Sequence, residues 1–249
     1  MKLPAIAAQP LAIDLFCGLG GWTEGLLAEN YFVIGFDTER HRYGDAKYPA
    51  QLVLQDVLTL HGRQFKDACL IVASPPCQGY SYRAMPWKRA KALPPPDNSL
   101  FDACFRIQRE AIEAAGHFIP LVVENVRGAQ KWVGRSRWAW GSFHLWGDVP
   151  ALMPMAKALP KVGGFSWSDF GKPGYKAQAF NGTAERAIKV QGVKQAGISG
   201  MRDNGKGDRW LQDGAARSGS KSNARKAASA MIAKIPLPLA RYIARTYKP

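Results

Sequence analysis

The sequence predicts an α/β domain built on a doubly wound, mostly parallel β-sheet. Apolar runs with the length and composition of buried strands occur at residues 11–16, 31–37, 51–57, 69–73 and 121–124. Helical patterns at 22–30 and 99–115 separate some of these runs. Apolar strands that alternate with helices are typical of a parallel sheet covered on both faces, and such sheets bind ligands at the carboxyl ends of their strands.

Charge divides the chain into two parts. The 249 residues carry a formal charge of +15, which favours a polyanionic partner such as nucleic acid. Residues 1–150 hold 16 Lys and Arg against 14 Asp and Glu, whereas residues 151–226 hold 14 against 5. We therefore expect the chemistry in the first part and a polyanion-binding surface in the second.

The cysteines and the apolar runs indicate an intracellular protein that is not embedded in a membrane. The four cysteines show no metal-ligand spacing, so no metal is predicted and a reduced compartment is expected. The longest uncharged run, residues 68–82, contains two prolines and is too short to cross a bilayer. The first residues do not have the pattern of a signal peptide.

The first predicted strand leads into the glycine-rich turn DLFCGLGG, residues 14–21. Glycines between a strand and a helix let backbone N–H groups approach a ligand closely. Asp37 ends the next strand, where a carboxylate suits the ribose hydroxyls of a nucleoside. A turn that binds no ligand remains an alternative. The GxGxxG spacing of dinucleotide sites is absent, so a mononucleoside such as S-adenosylmethionine fits better than a dinucleotide.

The fourth and fifth predicted strands are each followed or ended by a residue that could take part in catalysis. SPPCQ places Cys77 after two prolines that fix its backbone, and a nucleophile needs such a placement. The other three cysteines fit buried apolar roles. In VVENV, Glu124 either binds backbone amides as a structural acid or hydrogen-bonds a substrate.

The remaining segments suggest three regions. Residues 1–150 form the predicted catalytic and cofactor-binding domain, and residues 151–225 form a small basic lobe with scattered aromatic residues. Residues 226–249 form a C-terminal helical segment that returns to the first domain, with helices expected at 224–234 and 239–245. Residues 85–98 form a basic, proline-rich loop that is unusually long for a compact domain.

DLFCGLGG, PPCQ and ENV, in this order on one sheet, resemble the cytosine-C5 DNA methyltransferases. The resemblance covers residues 11–126 and resumes weakly at 235–244. It implies a Rossmann-like, S-adenosylmethionine-dependent methyltransferase in which the basic lobe recognises the target. A short enzyme of bacterial or phage type is implied, located in the cytoplasm of a bacterium or an infected host.

The resemblance also implies the residues that bind the cofactor. These are Asp14, Phe16, Gly18 and Gly20 in the first turn, Asp37 at the ribose, Asp56 at the adenine amino group, and Leu100 in the pocket wall. The product of the reaction would be S-adenosylhomocysteine.

In the implied reaction, a cytosine is flipped out of double-stranded DNA and Cys77 attacks its C6. Glu124 hydrogen-bonds the N3/N4 edge of the base, while Asn125 and Pro76 shape the pocket. The residues expected to contact DNA are Gln78, Ser81, Arg83, Lys88, Arg89 and Lys91. The enzyme is expected to act as a monomer.

Two departures from the family pattern affect these expectations. No Gln-x-Arg-x-Arg strand is evident, and Arg135 and Arg137 are the candidates for its arginine, with Arg137 expected in the catalytic group. Residues 232–233 are Ile and Ala where the family has Gly-Asn. Two alternatives therefore stay open: a tRNA cytosine-C5 methyltransferase, and a catalytically silent relative that binds DNA.

Overall fold

A seven-stranded sheet forms the centre of the protein. The computed structural model describes residues 9–80, 92, 94–140, 143–153, 230 and 233–249. The strands of the large sheet are β1 Leu11–Leu15, β2 Phe32–Asp37, β5 Gln51–Leu54, β6 Leu70–Ala73, β7 Leu121–Asn125, β8 Trp138–Trp140 and β9 Phe143–Gly147. Their order is β5-β2-β1-β6-β7-β9-β8. A separate hairpin consists of β3 Arg42–Tyr43 and β4 Ala46–Lys47.

The sheet is parallel from β5 to β7 and antiparallel at its other edge. β9 pairs antiparallel with β7, and β8 pairs antiparallel with β9. The carboxyl ends of β1, β2, β6 and β7 therefore lie along one edge of the sheet, which is where a parallel α/β sheet binds ligands. The prediction of a mostly parallel, doubly wound sheet is confirmed.

Helices cover both faces of this sheet. They are α1 Gly21–Ala28, α2 Ser99–Ala115, the short α3 Gln130–Val133, and α4 Leu237–Thr246. Alternate strand residues point to opposite faces, so Ile13 and Val123 join the core under α2, whereas Ala12 and Val122 join the core with α1 and α4.

α4 packs against α1 although more than 200 residues separate them in sequence. The Tyr31 hydroxyl donates a hydrogen bond of 2.9 Å to the Ala244 carbonyl oxygen. Glu29 accepts hydrogen bonds from Arg241 at 2.7 Å and pairs with Arg245 at 2.9 Å. The end of the chain thus stabilises the helix that follows the glycine-rich turn.

Some element bounds differ from the sequence-based expectation. The strand expected over 51–57 ends at Leu54, because Asp56 caps a 3₁₀ turn, Val57–Thr59, by accepting a hydrogen bond from the Leu58 amide. The sequence did not predict β3, β4, β8 or β9. The basic lobe beyond residue 153 and most of the helix expected at 224–234 lie outside the described residues. In the part of the chain that the structure describes, no helix could span a membrane and no cluster of His, Cys, Asp or Glu is arranged to hold a metal.

Candidate active site

The turn between β1 and α1 adopts left-handed backbone conformations that suit a ligand-binding loop. Phe16, Gly18 and Gly20 have φ angles of 57°, 52° and 77°. For Phe16 this angle is strained, and such strain occurs most often at functional sites. A Cβ atom on Gly18 would meet no other atom within 4 Å, so the turn faces open space at that residue.

Asp37 binds this turn from the end of β2. Its Oδ2 accepts a hydrogen bond of 2.9 Å from the Gly18 amide, and its Oδ1 accepts one of 2.8 Å from the Thr38 amide. Burial acts to raise the pKa of Asp37, but hydrogen bonds from His41 and Gly18 outweigh it, so the pKa lies below its usual value. Asp37 is therefore an ionised acceptor beside the turn, and its Oδ2, which accepts the Gly18 amide, has a further lone pair for a hydroxyl group.

A second carboxylate, Asp14, lies beneath the turn and is almost fully buried. Its Oδ2 accepts a hydrogen bond of 2.6 Å from the Thr23 hydroxyl, which lies 2.7 Å from the Tyr48 hydroxyl. Its Oδ1 is buried and has no hydrogen-bond partner among the described residues. Burial raises the pKa of Asp14 to about 8, partly offset by the bonds from Thr23. In the free protein Asp14 is thus a neutral acid that can still accept a hydrogen bond.

These features fit a nucleoside cofactor with an amino-acid tail. Asp37 offers an anionic acceptor, Asp14 offers a buried oxygen without a partner, and α1 begins at Gly21 with no side-chain cap on its first amides. Asp56 is exposed next to the end of β5, and Leu100 is half-buried in the first turn of α2. The structure therefore brings Asp14, Phe16, Gly18, Gly20 and Asp37 together around one turn, while Asp56 and Leu100 lie on separate elements.

Cys77 lies in the loop that follows β6, at the same edge of the sheet. The loop begins firmly fixed, because the Ser74 amide donates to the Leu15 carbonyl at 3.1 Å and the Trp22 indole N–H donates to the Ser74 hydroxyl at 3.0 Å. Cys77 is partly exposed, and its carbonyl accepts the Tyr80 amide at 3.0 Å. The thiol is therefore accessible on a loop whose first residues are held by β1 and α1.

Glu124 and Asn125 end the neighbouring strand, and Asn125 connects this strand to the Cys77 loop. β6 and β7 pair directly, with Ala73 opposite Val123. The Asn125 side-chain amide donates a hydrogen bond of 3.0 Å to the Pro75 carbonyl oxygen, two residues before Cys77. Its Oδ1 accepts the Val126 amide at 2.8 Å. The buried carboxylate of Glu124 is thus carried by a strand end that is bonded to the thiol loop.

The segment after ENV supports the same loop from the α2 side. A Cβ atom on Gly128, in the 3₁₀ turn Arg127–Ala129, would overlap the carbonyl oxygen of Tyr80. Asn98 accepts a hydrogen bond of 2.9 Å from the Tyr80 hydroxyl and donates one of 3.3 Å to the Trp132 carbonyl. The loop is therefore positioned by contacts with both β7 and the segment that follows it.

The backbone of Arg137 lies two strands away from this group. Arg137 precedes the edge strand β8, is exposed, and donates its amide to the Leu145 carbonyl at 2.8 Å. Leu145 is itself opposite Glu124, so β9 separates Arg137 from β7. Two strand spacings amount to about 10 Å, so the backbone does not bring Arg137 to Glu124. Its catalytic role stays a prediction of the sequence.

The other predicted site residues fall partly outside the described chain. Pro76 and Gln78 are exposed on the Cys77 loop. The remaining predicted DNA contacts lie outside the described residues: Ser81, Arg83, Lys88, Arg89 and Lys91.

Residues that the sequence did not single out also form the site. Thr23 and Tyr48 complete the buried hydrogen-bonded chain of Asp14, and Trp22 holds Ser74. Two residues on the α2 side, Ser136 and the buried His144, lie 2.9 Å apart, and His144 is opposite Asn125. No local pattern marks these residues, although the position of Thr23 just inside a helix that follows a glycine turn could have suggested a role.

The sheet order, the glycine turn at β1 and the acid at the end of β2 together define an S-adenosylmethionine-dependent methyltransferase fold. Residues 11–132 match the model of the family described as C-5 cytosine-specific DNA methylase. The family uses S-adenosylmethionine as its methyl donor. The resemblance stated from DLFCGLGG, PPCQ and ENV is confirmed.

Solved structures similar to this chain include three methyltransferases. A putative DNA modification methyltransferase encoded within a prophage of E. coli is 22% identical over 51% of this chain and 35% of its own, with a TM-score of 0.35. S. pombe Dnmt2 is 18% identical over 51% and 37% of the two chains, with a TM-score of 0.35. Entamoeba histolytica EhMeth is 17% identical over 51% of this chain and 41% of its own, with a TM-score of 0.36.

The chain covers well under half the length of each of these three structures. Among curated protein sequences, no match is found.

Proposed function

We propose that this protein transfers a methyl group from S-adenosylmethionine to C5 of cytosine in double-stranded DNA. The observation that supports this proposal most is the hydrogen bond from Asn125 to the Pro75 carbonyl. It joins the strand end that carries Glu124 to the loop that carries Cys77, so an acid and a thiol can act on one base. The family match over residues 11–132 supports cytosine as that base.

The proposed chemistry solves the problem that cytosine C5 is a weak nucleophile. The Cys77 sulfur forms a bond to C6 while Glu124 hydrogen-bonds the N3/N4 edge of the base, and the displaced electron pair makes C5 nucleophilic. When bound, S-adenosylmethionine supplies the methyl group as an electrophile and leaves as S-adenosylhomocysteine. A base then removes the C5 proton, the S–C6 bond breaks, and Cys77 is regenerated with 5-methylcytosine as the product.

Other residues take supporting roles in this proposal. Asn125 and Pro76 hold the loop and the pocket in position, and Asp14 and Asp37 serve the cofactor. Residues 151–225 would recognise the target sequence, and their excess of Lys and Arg supports a role at DNA. The protein would act on DNA as a monomer.

The experiment compares wild type, Cys77→Ser and Cys69→Ser on duplex DNA containing 5-fluorocytosine, with S-adenosylmethionine present. Fluorine cannot leave as a proton does, so the enzyme remains covalently attached through its thiol. We expect the adduct with wild type and with Cys69→Ser, whose changed thiol lies just before β6, and none with Cys77→Ser. Base-resolution conversion sequencing of ordinary DNA then identifies the methylated cytosines.

Two results would overturn the proposal. An adduct formed by Cys77→Ser would show that another group is the nucleophile. Methylation of tRNA by wild type, with none on DNA of mixed sequence, would assign the substrate to RNA instead.

A further inference from the structure

Four exposed cations follow the ENV motif. The last, Arg137, is bonded to β9, and the first three lie on the segment that supports the thiol loop. Arg127, Lys131 and Arg135, here called the basic strip, are all exposed. No Asp or Glu occurs between Glu124 and Asp148 in the sequence, although residues 1–150 as a whole are close to neutral. This segment is therefore a local concentration of positive charge next to the candidate active site.

The basic strip forms no ion pairs with the residues that the structure describes. Other cations of the described chain do: Arg106 pairs with Glu110, and both Arg241 and Arg245 pair with Glu29. Within the strip, the Lys131 ammonium group lies over the Trp132 ring, 4.5 Å from its centre, and Lys131 is exposed. The three charges are thus available to an external anion.

The strip is not needed to hold its own segment in place. Ala129 is buried, and Trp132 and Val133 pack against the core under α2. The Trp146 indole N–H donates a hydrogen bond of 2.9 Å to the Gly134 carbonyl oxygen. The Ser136 hydroxyl donates one of 3.1 Å to the side-chain oxygen of Gln130. Apolar burial and neutral hydrogen bonds therefore fix the backbone, and the strip adds to this only the contact of Lys131 with the Trp132 ring in the described structure.

The position of the strip relates it to the substrate. Arg127 comes three residues after Glu124, and the adjacent Gly128 contacts the Tyr80 carbonyl of the thiol loop. A duplex that delivers a base to Cys77 carries one phosphate charge per about 1.7 Å of its axis, so several phosphates must lie close to this loop.

We propose that the basic strip of Arg127, Lys131 and Arg135 contacts the phosphate backbone of double-stranded DNA beside the flipped base. This inference rests on the proposed function for its substrate, and it adds a binding surface that is distinct from the 85–98 loop and from the basic lobe. Because phosphate contacts carry no sequence information, the strip strengthens binding to target and non-target DNA alike.

The test measures DNA affinity as a function of salt concentration, by fluorescence anisotropy, for the triple variant Arg127→Gln, Lys131→Gln, Arg135→Gln. Each phosphate contact contributes about −0.9 to the slope of log K against log salt, so loss of three contacts reduces the magnitude of this slope by about 2.7. The matched control is Arg63→Gln, Lys66→Gln, Arg109→Gln. It removes the same charge from exposed residues of the α2 side and of the turn that precedes β6.

We expect the strip variant to show the reduced slope on target and on unrelated duplex DNA, whereas the control keeps the wild-type slope. The strip variant should also raise KM for DNA, while the Kd for S-adenosylmethionine stays unchanged. Matching far-ultraviolet circular dichroism of both variants establishes that they are folded.

An unchanged slope in the strip variant would overturn the inference, as would equal losses in strip and control variants. A loss confined to tRNA binding would also overturn it and point to RNA. Failure of the proposed function is seen separately, since wild type would then bind DNA without methylating it.

Discussion

The buried acid Asp14 gives the sharpest test of the site before any cofactor is added. Burial raises its pKa from the ordinary 3.8 to about 8, and the hydrogen bond from Thr23 only partly opposes this. Between these two values the folded protein binds one proton more than the unfolded chain. Stability therefore falls as pH rises, by about 1.4 kcal/mol per pH unit.

Asp14→Asn removes this proton while keeping the size of the side chain. From about pH 5 to about pH 7 the wild type should lose about 2.7 kcal/mol of unfolding free energy through Asp14, and the variant should not. Other titrating groups act equally in both proteins, so they cancel in the difference. The stability of the variant relative to wild type should thus increase by that amount as pH rises.

The assay is urea unfolding of the cofactor-free protein at several pH values in this range, followed by circular dichroism. Asp97→Asn is the control. Hydrogen bonds from Ser99 lower the pKa of Asp97, so its carboxylate stays ionised in both states across the range. Parallel curves of unfolding free energy against pH for wild type and Asp14→Asn would refute the conclusion that Asp14 is a neutral acid in the folded protein.

Two further predictions concern the thiol loop and α4. Gly128→Ala places a Cβ atom against the Tyr80 carbonyl, so we expect the loop to shift and kcat to fall by about 100-fold while cofactor affinity is kept. A wild-type kcat would show that the loop does not depend on this contact. Tyr31→Phe removes the hydrogen bond to the Ala244 carbonyl and should lower the free energy of unfolding by about 1–2 kcal/mol in urea titrations. Unchanged stability would mean that this bond does not help to hold α4 on α1.

The strands with chemistry at their ends could be predicted because their signals are local. The apolar runs before DLFCGLGG, PPCQ and ENV each have the length and composition of a buried strand, and all three became neighbours in the sheet. The antiparallel strands β8 and β9 were missed because WAW and FHLWG are short and are separated by only two residues. The pairing of β9 depends on β7, which offers an open edge only after the parallel sheet has formed, and β8 in turn pairs with β9.

In the candidate site, too, the residues in local motifs could be predicted and the contacts between distant segments could not. Cys77, Glu124 and the glycine turn follow from motif order, since parallel strands align their carboxyl ends. The contact of Arg137 with Leu145 does not follow, because a register against β9 determines it. The pKa of Asp14 could not be predicted either. It depends on complete burial under Thr23 and Tyr48, which come from a helix and a loop that other contacts position.

The sequence by itself determined the parallel part of the sheet, the order of its central motifs and the residue types available for chemistry, since these depend on local apolar pattern and on chain order. The tertiary structure alone decided which groups meet. Asn125 bonds Pro75 across 50 residues, and Tyr31 bonds Ala244 across 213. These partners are selected by the packing of side chains between distant segments, which no short stretch of the sequence encodes.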